Sequence, residues 1–182
     1  MISKHGSLST NSEKSTSAPN IVWASDITYV RVGETFYYLC AILNLYSRKV
    51  IGYDISDKMD TPFVCVVFKQ TYKNREEPKC TIFHSDQGGQ YVSLEFRRLL
   101  RSEGVKPSYF APGNPYDNAV MESFFATLKK DEYQKRTYST LNELKDATHA
   151  YIEFYNDYRS HHRLGNLSPN QAEAEFYRNK EG

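Results

Sequence analysis

The chain has 182 residues, and 23 lysine and arginine residues against 22 aspartate and glutamate residues give it a net charge of +1. This near-neutral balance argues against a protein that holds duplex DNA by bulk positive charge, so any contact with nucleic acid must depend on local charge. The length fits one domain of about 150 residues plus a tail, and 40% hydrophobic residues are enough to build its core.

The cysteines and the apolar segments exclude secreted and membrane classes. Cys40, Cys65 and Cys80 are odd in number and lack metal-binding spacing, which indicates buried free thiols in a reducing compartment. The longest apolar run, Phe36–Leu43, is far shorter than the roughly 20 residues of a membrane helix. The first residues contain no apolar signal core, so we expect a cytoplasmic protein without a membrane span.

The first 19 residues differ in composition from the rest of the chain. They contain six serines and two threonines, with almost nothing to bury, which predicts a disordered arm or linker. We expect the ordered domain to span residues 20–178, followed by a tail over residues 179–182.

Three consecutive β-strands are predicted at the start of the domain. Residues 21–31 are rich in β-forming side chains, and a turn at Gly33 and Glu34 leads to residues 35–43. The segment NLYS then joins this strand to residues 48–55. Three antiparallel strands in a meander are the simplest interpretation.

Helices and strands alternate in the next part of the chain. Thr61 is the predicted N-cap of a helix that has Pro62 at its first position. A short strand over residues 81–85 precedes a helix that begins after Ser93 and ends at Gly104, and a fifth strand follows over residues 105–110. The first helix has one apolar face, formed by Val64, Val67, Phe68 and Tyr72.

The last third of the chain is predicted to be helical. Asp117 is the expected cap of a helix over residues 118–132, and Thr140 with Glu143 forms a capping box for a long helix. The segment Ser168–Gln171 caps a last short helix. The inward face of the long helix is predicted to carry Leu141, Leu144, Thr148, Tyr151, Ile152, Tyr155 and Tyr158. The whole order predicts an α/β fold whose five-stranded mixed sheet has three antiparallel strands, then two parallel ones, with helices on both faces.

Three carboxylates fall where such a sheet gathers its ligands. Asp26 interrupts the apolar first strand, Asp86 closes the fourth, and Glu122 lies early in the helix after the fifth. Oxygen ligands without histidine or cysteine suit hard cations such as Mg²⁺ or Mn²⁺. A pair of such ions can clamp the attacking and leaving oxygens of an in-line phosphoryl displacement.

The spacing of these carboxylates in the sequence does not by itself show that they form a metal site. Asp86 and Glu122 are separated by 35 residues, but Asp117 and Glu153 have the same separation. A helix cap explains Asp117 and a solvated helix face explains Glu153, whereas Asp26 within an apolar strand has no comparable structural role. The residues by themselves therefore leave both a metal site and unrelated surface carboxylates open.

Five sequence blocks resemble, in order, the catalytic domain of bacterial insertion-sequence transposases of the retroviral-integrase-like DDE superfamily, in the copy-out, paste-in group. The blocks are VWASDITYV, YYLCAILNLYSRKVIGYDIS, FHSDQGGQYVS, GNPYDNAVMESFFATLKKDE and YIEFYNDYRSHHRLGNLSP. The resemblance covers about residues 20–177. It implies an RNase H-like fold and a Mg²⁺-dependent polynucleotidyl transferase that nicks DNA and then uses the freed 3′-hydroxyl to attack DNA.

The resemblance also implies roles for single residues. Asp26, Asp86 and Glu122 match the catalytic triad, which holds two Mg²⁺ or Mn²⁺ ions. Lys129 matches a family feature, and it lies two helical turns beyond Glu122 on the same face, within reach of a DNA phosphate. Asn118, one turn before Glu122, shares that face, and Lys130 joins the expected DNA contacts.

Other polar and aromatic residues allow two interpretations each. His84 is either a group supporting the metal site or a hydrogen-bonded core histidine. Arg159, His161, His162 and Arg163 form either a phosphate-contacting patch or a solvated helix end, and no cysteine pair supports a zinc site. A solvated face is favoured over a DNA track for Arg97, Arg98 and Arg101. Packing is favoured over base stacking for Tyr151, Phe154, Tyr155 and Tyr158.

Two departures and one missing segment limit the resemblance. Asn44 stands where the family often has Asp, and Gln87 where it often has Arg; neither belongs to the triad. The family's helix-turn-helix region, which reads element ends, is expected upstream or in another protein. Expected partners are element-end and target DNA and further copies of this chain on DNA. The alternative is a noncatalytic truncated transposase that dimerises or competes, and a nuclease of the same fold is disfavoured by the block around Glu122.

Overall fold

A computed structural model describes residues 17–79, 81–109 and 115–181 of the chain, and the side chains of residues 115–118 and 181 lie outside that description. The predicted arm over residues 1–19 falls almost wholly outside the described part, as does Cys80, so these predictions stay untested. Cys40 and Cys65 are buried free thiols, as predicted.

The described chain contains five strands and six α-helices. The strands are β1 (Val22–Val32), β2 (Thr35–Asn44), β3 (Val50–Ser56), β4 (Ile82–Ser85) and β5 (Lys106–Tyr109). The helices are α1 (Thr61–Asn74), α2 (Gly89–Val92), α3 (Leu94–Ser102), α4 (Pro115–Leu128), α5 (Leu141–Asp157) and α6 (Pro169–Glu181). A π-helix (Lys129–Tyr133) continues α4, and a 3₁₀ turn (His162–Leu164) precedes α6. No described helix is long and apolar enough to cross a membrane.

The sheet confirms the predicted mixed architecture. Its strand order is β3-β2-β1-β4-β5, with β1 in the centre. The β1–β2 and β2–β3 pairs are antiparallel, whereas β1–β4 and β4–β5 are parallel. The carboxyl ends of β1, β4 and β5 therefore share one edge of the sheet, where polar residues that follow these strands come together.

Helices cover both faces of the sheet, and a separate apolar cluster fills each side. On one side, α4 and α5 pack their apolar stripes on β1 and β2, around Ala24, Leu39 and Phe124. On the other side, α1, α2 and α3 enclose Trp23 and Phe68. Successive residues of β1 point to opposite faces, so Asp26 shares the face of Ala24 and Val30, which is the α4 face.

Two predicted helix starts are wrong by a few residues. Asp60, not Thr61, caps α1, and its Oδ1 accepts a hydrogen bond of 3.0 Å from the Phe63 amide. A carboxylate in the preceding position outcompetes the threonine hydroxyl for the free amides. Helix α4 begins at Pro115, so Asp117 lies inside its first turn rather than at its cap. Proline has a preset φ and no amide hydrogen, which suits a first helical position.

The C-terminal half also differs in detail from its sequence pattern. Thr140 caps α5 and Ser168 bonds the Gln171 amide at the start of α6, both as predicted. Tyr158, however, is 76% exposed and does not belong to the inward face of α5, because the helix ends at Asp157. Helix α6 extends to Glu181, three residues beyond the expected end of the core.

Gly52 in β3 packs directly against Thr71 of α1. A Cβ built on it would overlap the Thr71 hydroxyl oxygen and lie 2.7 Å from the Thr71 Cβ. We expect Gly52→Ala to reduce the free energy of unfolding by about 1–3 kcal/mol, because neither backbone can move freely. Urea denaturation measures this loss. The double variant Gly52→Ala with Thr71→Ala should be less destabilised than the sum of the two single variants; strict additivity would contradict the proposed clash.

Candidate functional site

Two of the predicted carboxylates belong to neighbouring segments of the sheet, at the level where β4 ends. Ser25 of β1 is the parallel register partner of Ser85 of β4. Asp26 directly follows Ser25, and Asp86 directly follows Ser85. With parallel strands about 4.8 Å apart, this register makes the backbones that carry the two aspartates neighbours.

The loop after β4 fixes the Asp86 carboxylate. Its Oδ1 accepts a hydrogen bond of 2.9 Å from the Gly88 amide, which closes a tight Asx-type turn before α2. A Cβ on Gly88 would lie 2.9 Å from Oδ1 and 3.4 Å from Oδ2 of Asp86. An alanine at this position would therefore push the Asp86 carboxylate aside, although the backbone itself, with φ −55°, would accept a side chain.

Gly88→Ala is expected to displace the Asp86 carboxylate and to lower any activity that depends on it by about tenfold or more. Gly89→Ala is the matched control, because nothing lies within 4 Å of its added Cβ. Both variants should unfold at nearly the same denaturant concentration as wild type. Full activity of Gly88→Ala in a DNA-joining assay would contradict the importance of this carboxylate's position.

Glu122 lies on α4, which covers the Asp26 face of the sheet, but its side chain is exposed. Its neighbours Met121 and Phe125 are buried against the sheet. Within residues 17–79, 81–109 and 115–181, no three Asp, Glu, His or Cys side chains are close enough to hold a metal ion together. The structure therefore places Asp26 and Asp86 directly after two paired residues, and it places Glu122 on the helix that covers the same face of the sheet.

Lys129 stands close to the strand that carries Asp26. Its Nζ lies 5.1 Å from the ring centroid of Tyr29, a cation–π contact with a side chain that is 60% exposed. Helix α4 is regular up to Leu128, so Glu122 and Lys129 do share one helix face. The following residue, Lys130, is exposed. The side chain of Asn118 lies outside the described residues.

Lys129 is also the first residue of the π-helix. Short π-helical segments associated with α-helices occur frequently at functional sites. The helix extends through Glu132, as predicted, but its last five residues have π geometry: the α-helix ends at Leu128 and the π-helix spans Lys129–Tyr133. Glu132 is held there by a hydrogen bond of 3.0 Å from the Tyr138 hydroxyl.

The predicted basic patch after α5 is only partly available to an anion. Arg159 forms an ion pair with Asp131 of the π-helix, with 3.0 Å between its guanidinium and the carboxylate. His161 packs edge-on against Tyr155, and burial, reinforced by Arg159 and Arg48, lowers the pKa of its imidazole. His162 and Arg163 are exposed. Of the predicted patch, His162 and Arg163 are therefore exposed, whereas Arg159 is held by Asp131 and His161 is packed against Tyr155.

A buried polar cluster behind the two aspartates escaped the sequence patterns. The Ser25 hydroxyl lies 2.8 Å from the Tyr91 hydroxyl, and the Cys40 thiol is 3.8 Å from both. Burial raises the pKa of Cys40 to about 12, so the thiol stays protonated. Through these contacts α2, which follows Asp86, is tied to the strand of Asp26. The sequence signal was a serine directly before Asp26 in an otherwise apolar strand.

A second unpredicted cluster explains why Asn44 is not an aspartate. Glu173 of α6 is 5% exposed and receives hydrogen bonds from Asn44 Nδ2 at 2.7 Å and Ser47 Oγ at 2.9 Å. Arg75 and Lys49 pair with the same carboxylate at 3.0 and 3.5 Å. An aspartate at position 44 would put two carboxylates in contact.

His84, which the sequence left open as a support for the metal site or a core histidine, is hydrogen-bonded within the sheet: its Nδ1 lies 3.0 Å from Ser108 Oγ.

Comparison with protein families gives a consistent match. Two models described as "Integrase core domain" match residues 16–115 and 103–169. The transposase InsF for insertion sequence IS3A of Escherichia coli (strain K12) is 37% identical over 158 residues, which are 86% of this chain and 55% of that protein. The chain thus spans about half the length of the curated relatives that it matches.

Solved structures support the same architecture. A chain of a simian T-cell lymphotropic virus intasome superposes with a TM-score of 0.72 at 19% identity, covering 86% of this chain and 55% of that one. The HTLV-2 integrase catalytic core domain in complex with magnesium gives 0.67 at 16% identity, covering 87% and 99%. The mixed sheet with helices on both faces is therefore an RNase H-like fold. The chain belongs to the integrase core domain family.

Proposed function

We propose that this chain is the catalytic core of an insertion-sequence transposase, which cleaves DNA and joins the resulting 3′-hydroxyl end to target DNA. The observation that carries the proposal is the parallel pairing of Ser25 with Ser85, which places Asp26 and Asp86 directly after paired residues of neighbouring strands, on the side covered by the helix that carries Glu122. The family match and the insertion-sequence relatives add support.

The donor chemistry of the site fits a divalent metal. Asp26 and Asp86 supply hard oxygen ligands on adjacent backbones, and no described histidine or thiol joins them in a softer site. We propose that Asp26, Asp86 and Glu122 hold two Mg²⁺ or Mn²⁺ ions, which, when bound, activate the attacking oxygen and stabilise the leaving one. Glu122 has to approach the aspartates to complete the set. Its side chain is exposed on the helix that covers the Asp26 face, between the buried Met121 and Phe125.

The remaining residues bind and orient the DNA. Lys129, held over Tyr29, is suited to contact a phosphate beside the reacting bond, and Lys130 to contact the next one. The Gly88 amide orients Asp86, and the buried Ser25–Tyr91 hydrogen bond keeps the two aspartate-bearing segments in register. Arg159 orients the end of the α4 extension through Asp131 rather than binding DNA directly. His162 and Arg163 remain available as outer contacts.

The proposed joining step is a single displacement at phosphorus. The DNA 3′-hydroxyl oxygen forms a bond to a target phosphorus while the bond from that phosphorus to its own 3′-oxygen breaks. The departing strand leaves with a 3′-hydroxyl and takes up one proton, and the attacking hydroxyl releases one. No side chain becomes covalently attached to DNA.

Element-end recognition and assembly are further parts of the proposal. We infer that sequence-specific end binding requires a helix-turn-helix segment outside this chain, because the core's balanced charge gives it weak affinity for DNA. Several copies act together on two DNA ends. The noncatalytic alternative receives no support from the site, where both aspartates keep their register.

Joining of a precleaved DNA end to circular target DNA tests the proposed function. The protein, incubated with a labelled element-end duplex that has a free 3′-hydroxyl, should give a joined product with Mg²⁺ or Mn²⁺ and none with a chelator. If no joined product forms with either metal and with relatives' element ends as substrates, the enzymatic proposal fails for this chain.

A further inference from the structure

The hairpin of β1 and β2 carries an exposed pair of aromatic side chains that belongs to neither apolar cluster of the sheet. Tyr29 is 60% exposed and Phe36 is 48% exposed. Their ring centroids lie 5.7 Å apart, and the ring planes are inclined by 78°. Aromatic contacts between strands stabilise a hairpin, but they do not require both rings to stay open to solvent. The pair therefore offers an aromatic surface for a further contact.

A cation lies beside this aromatic surface. Lys129 Nζ, 5.1 Å from the ring centroid of Tyr29, comes from the π-helix that continues α4. Within the part of the chain that the structure describes, Lys129 forms no ion pair. The charged residues at the hairpin turn, Arg31 and Glu34, pair with each other at 3.0 Å. The charge of Lys129 is therefore available to an anion that binds next to the rings.

The aromatic pair and the lysine meet at an open edge of β1. Strand β4 pairs with β1 only over residues 22–25, so among the described residues the rest of β1 has a strand neighbour on the β2 side alone. Side chains alternate along a strand, so Tyr29 points away from the Asp26 face. Lys129 extends from the helix that covers the Asp26 face. Because the two side chains start on opposite faces, the contact between them passes this open edge.

The open edge begins at the carboxylate site. Asp86 directly follows the last residue of β4, so the edge starts at the level of Asp26. Tyr29 lies three residues beyond Asp26, which is about 10 Å along the strand. Lys129 shares a helix face with Glu122, two turns further along. The strand and the helix thus both connect the aromatic pair to the carboxylates.

We propose that Tyr29, Phe36 and Lys129 form a nucleotide-binding site beside the carboxylates, in which the aromatic pair stacks on an unpaired DNA base and Lys129 contacts a phosphate next to it. Aromatic rings combined with a cation are how proteins hold single-stranded nucleic acid. A base inside a duplex is stacked on its neighbours, so the base that binds here is one released from pairing. This site rests on the proposed function, since DNA is its ligand. The core should therefore prefer DNA ends whose last nucleotides are unpaired.

Metal-free DNA binding tests this site without the proposed chemistry. Anisotropy of fluorescein-labelled duplexes, measured with a chelator present, compares a blunt end with an end that has unpaired terminal nucleotides. A 2-aminopurine base among the unpaired nucleotides reports stacking, because its fluorescence falls when it stacks on a ring.

The variants separate the aromatic ring from apolar bulk. Tyr29→Leu keeps an apolar side chain but loses the flat ring, whereas Tyr29→Phe keeps the ring. Tyr177→Leu is the matched control, because Tyr177 on α6 is 43% exposed and also stands edge-on to a phenylalanine, Phe176, at 5.4 Å. Lys129→Ala tests the cation.

Wild type should bind the unpaired end about tenfold more tightly than the blunt end and should quench the 2-aminopurine. Tyr29→Leu should lose most of that preference, while Tyr29→Phe and Tyr177→Leu should keep it. Lys129→Ala should make the plot of log affinity against log salt shallower by about one for the unpaired end, as expected for one lost phosphate contact.

The site would be overturned if wild type did not prefer the unpaired end, if Tyr29→Leu and Tyr177→Leu lost the preference equally, or if Lys129→Ala kept the wild-type slope. Self-association of the DNA-free protein in sedimentation, abolished by Tyr29→Leu, would also overturn it, because the surface would then bind a second copy. A preference for unpaired ends without any strand joining would instead reject the proposed activity and leave the nucleotide site standing.

Discussion

Asp86→Asn is expected to lower metal-dependent strand joining by about 10³-fold or more. An amide keeps the shape of the side chain and still accepts the Gly88 hydrogen bond of 2.9 Å, but it lacks the negative charge that holds a divalent cation. Metal assistance contributes several kcal/mol to such a displacement, and about 4 kcal/mol corresponds to a factor of 10³ in rate. Single-turnover formation of joined DNA measures the effect.

The control for this prediction is Asp57→Asn, which removes an exposed carboxylate after β3. It should join DNA at the wild-type rate. The thermal midpoints of both variants should match that of wild type, since Asp86 is at the sheet edge and not in the apolar core. An Asp86→Asn protein that retains joining within about threefold of wild type would remove Asp86 from the site.

Glu173→Ala is expected to cause the largest loss of stability, about 3–5 kcal/mol, because it leaves Arg75 and Lys49 in a partly buried region without their shared counterion. Asn44 and Ser47 lose their acceptor as well. Glu175→Ala, an exposed position on the same helix, is the control and should change the free energy of unfolding by less than about 0.5 kcal/mol. Urea denaturation compares the two.

The same carboxylate gives the protein an acid-sensitive element. Burial alone would raise the pKa of Glu173, but Arg75 and Lys49 outweigh it and hold the pKa below its usual value of 4.5. Its stabilising contribution is therefore complete above the unfolded-state pKa and is lost as the pH falls through the lower native pKa. As the pH falls through that range, the free energy of unfolding should decrease less for Glu173→Gln than for wild type. If the free energy of unfolding changed with pH in the same way for both proteins, Glu173 would not be the source of the acid sensitivity.

The sequence contained most of the information on the sheet and the aspartates. Apolar strands interrupted by Asp26 and ended by Asp86 predict where polar groups gather, and parallel pairing turns that pattern into the register of Ser25 with Ser85. Capping patterns at Ser93 and Thr140 were correct, because a short polar side chain bonds an amide within the same turn. Such local rules need no tertiary contact.

The remainder depends on contacts between distant segments. Glu173 lies 129 residues from Asn44 in sequence, and nothing in the local pattern of α6 marks it as buried. Arg159 pairs with Asp131, a contact between segments 28 residues apart that no local pattern reveals. The π-helix after Leu128 has no simple sequence signature.

The proposed metal site requires Asp86 and Glu122 to act as one unit, and Glu122 is exposed on α4. Single-turnover joining rates of Asp86→Asn, Glu122→Gln and the double variant measure this directly. Groups that act as a unit are not additive, so the double variant should be no more than a few-fold slower than either single variant. A wild-type rate for Glu122→Gln, or losses that multiply in the double variant, would contradict the shared site.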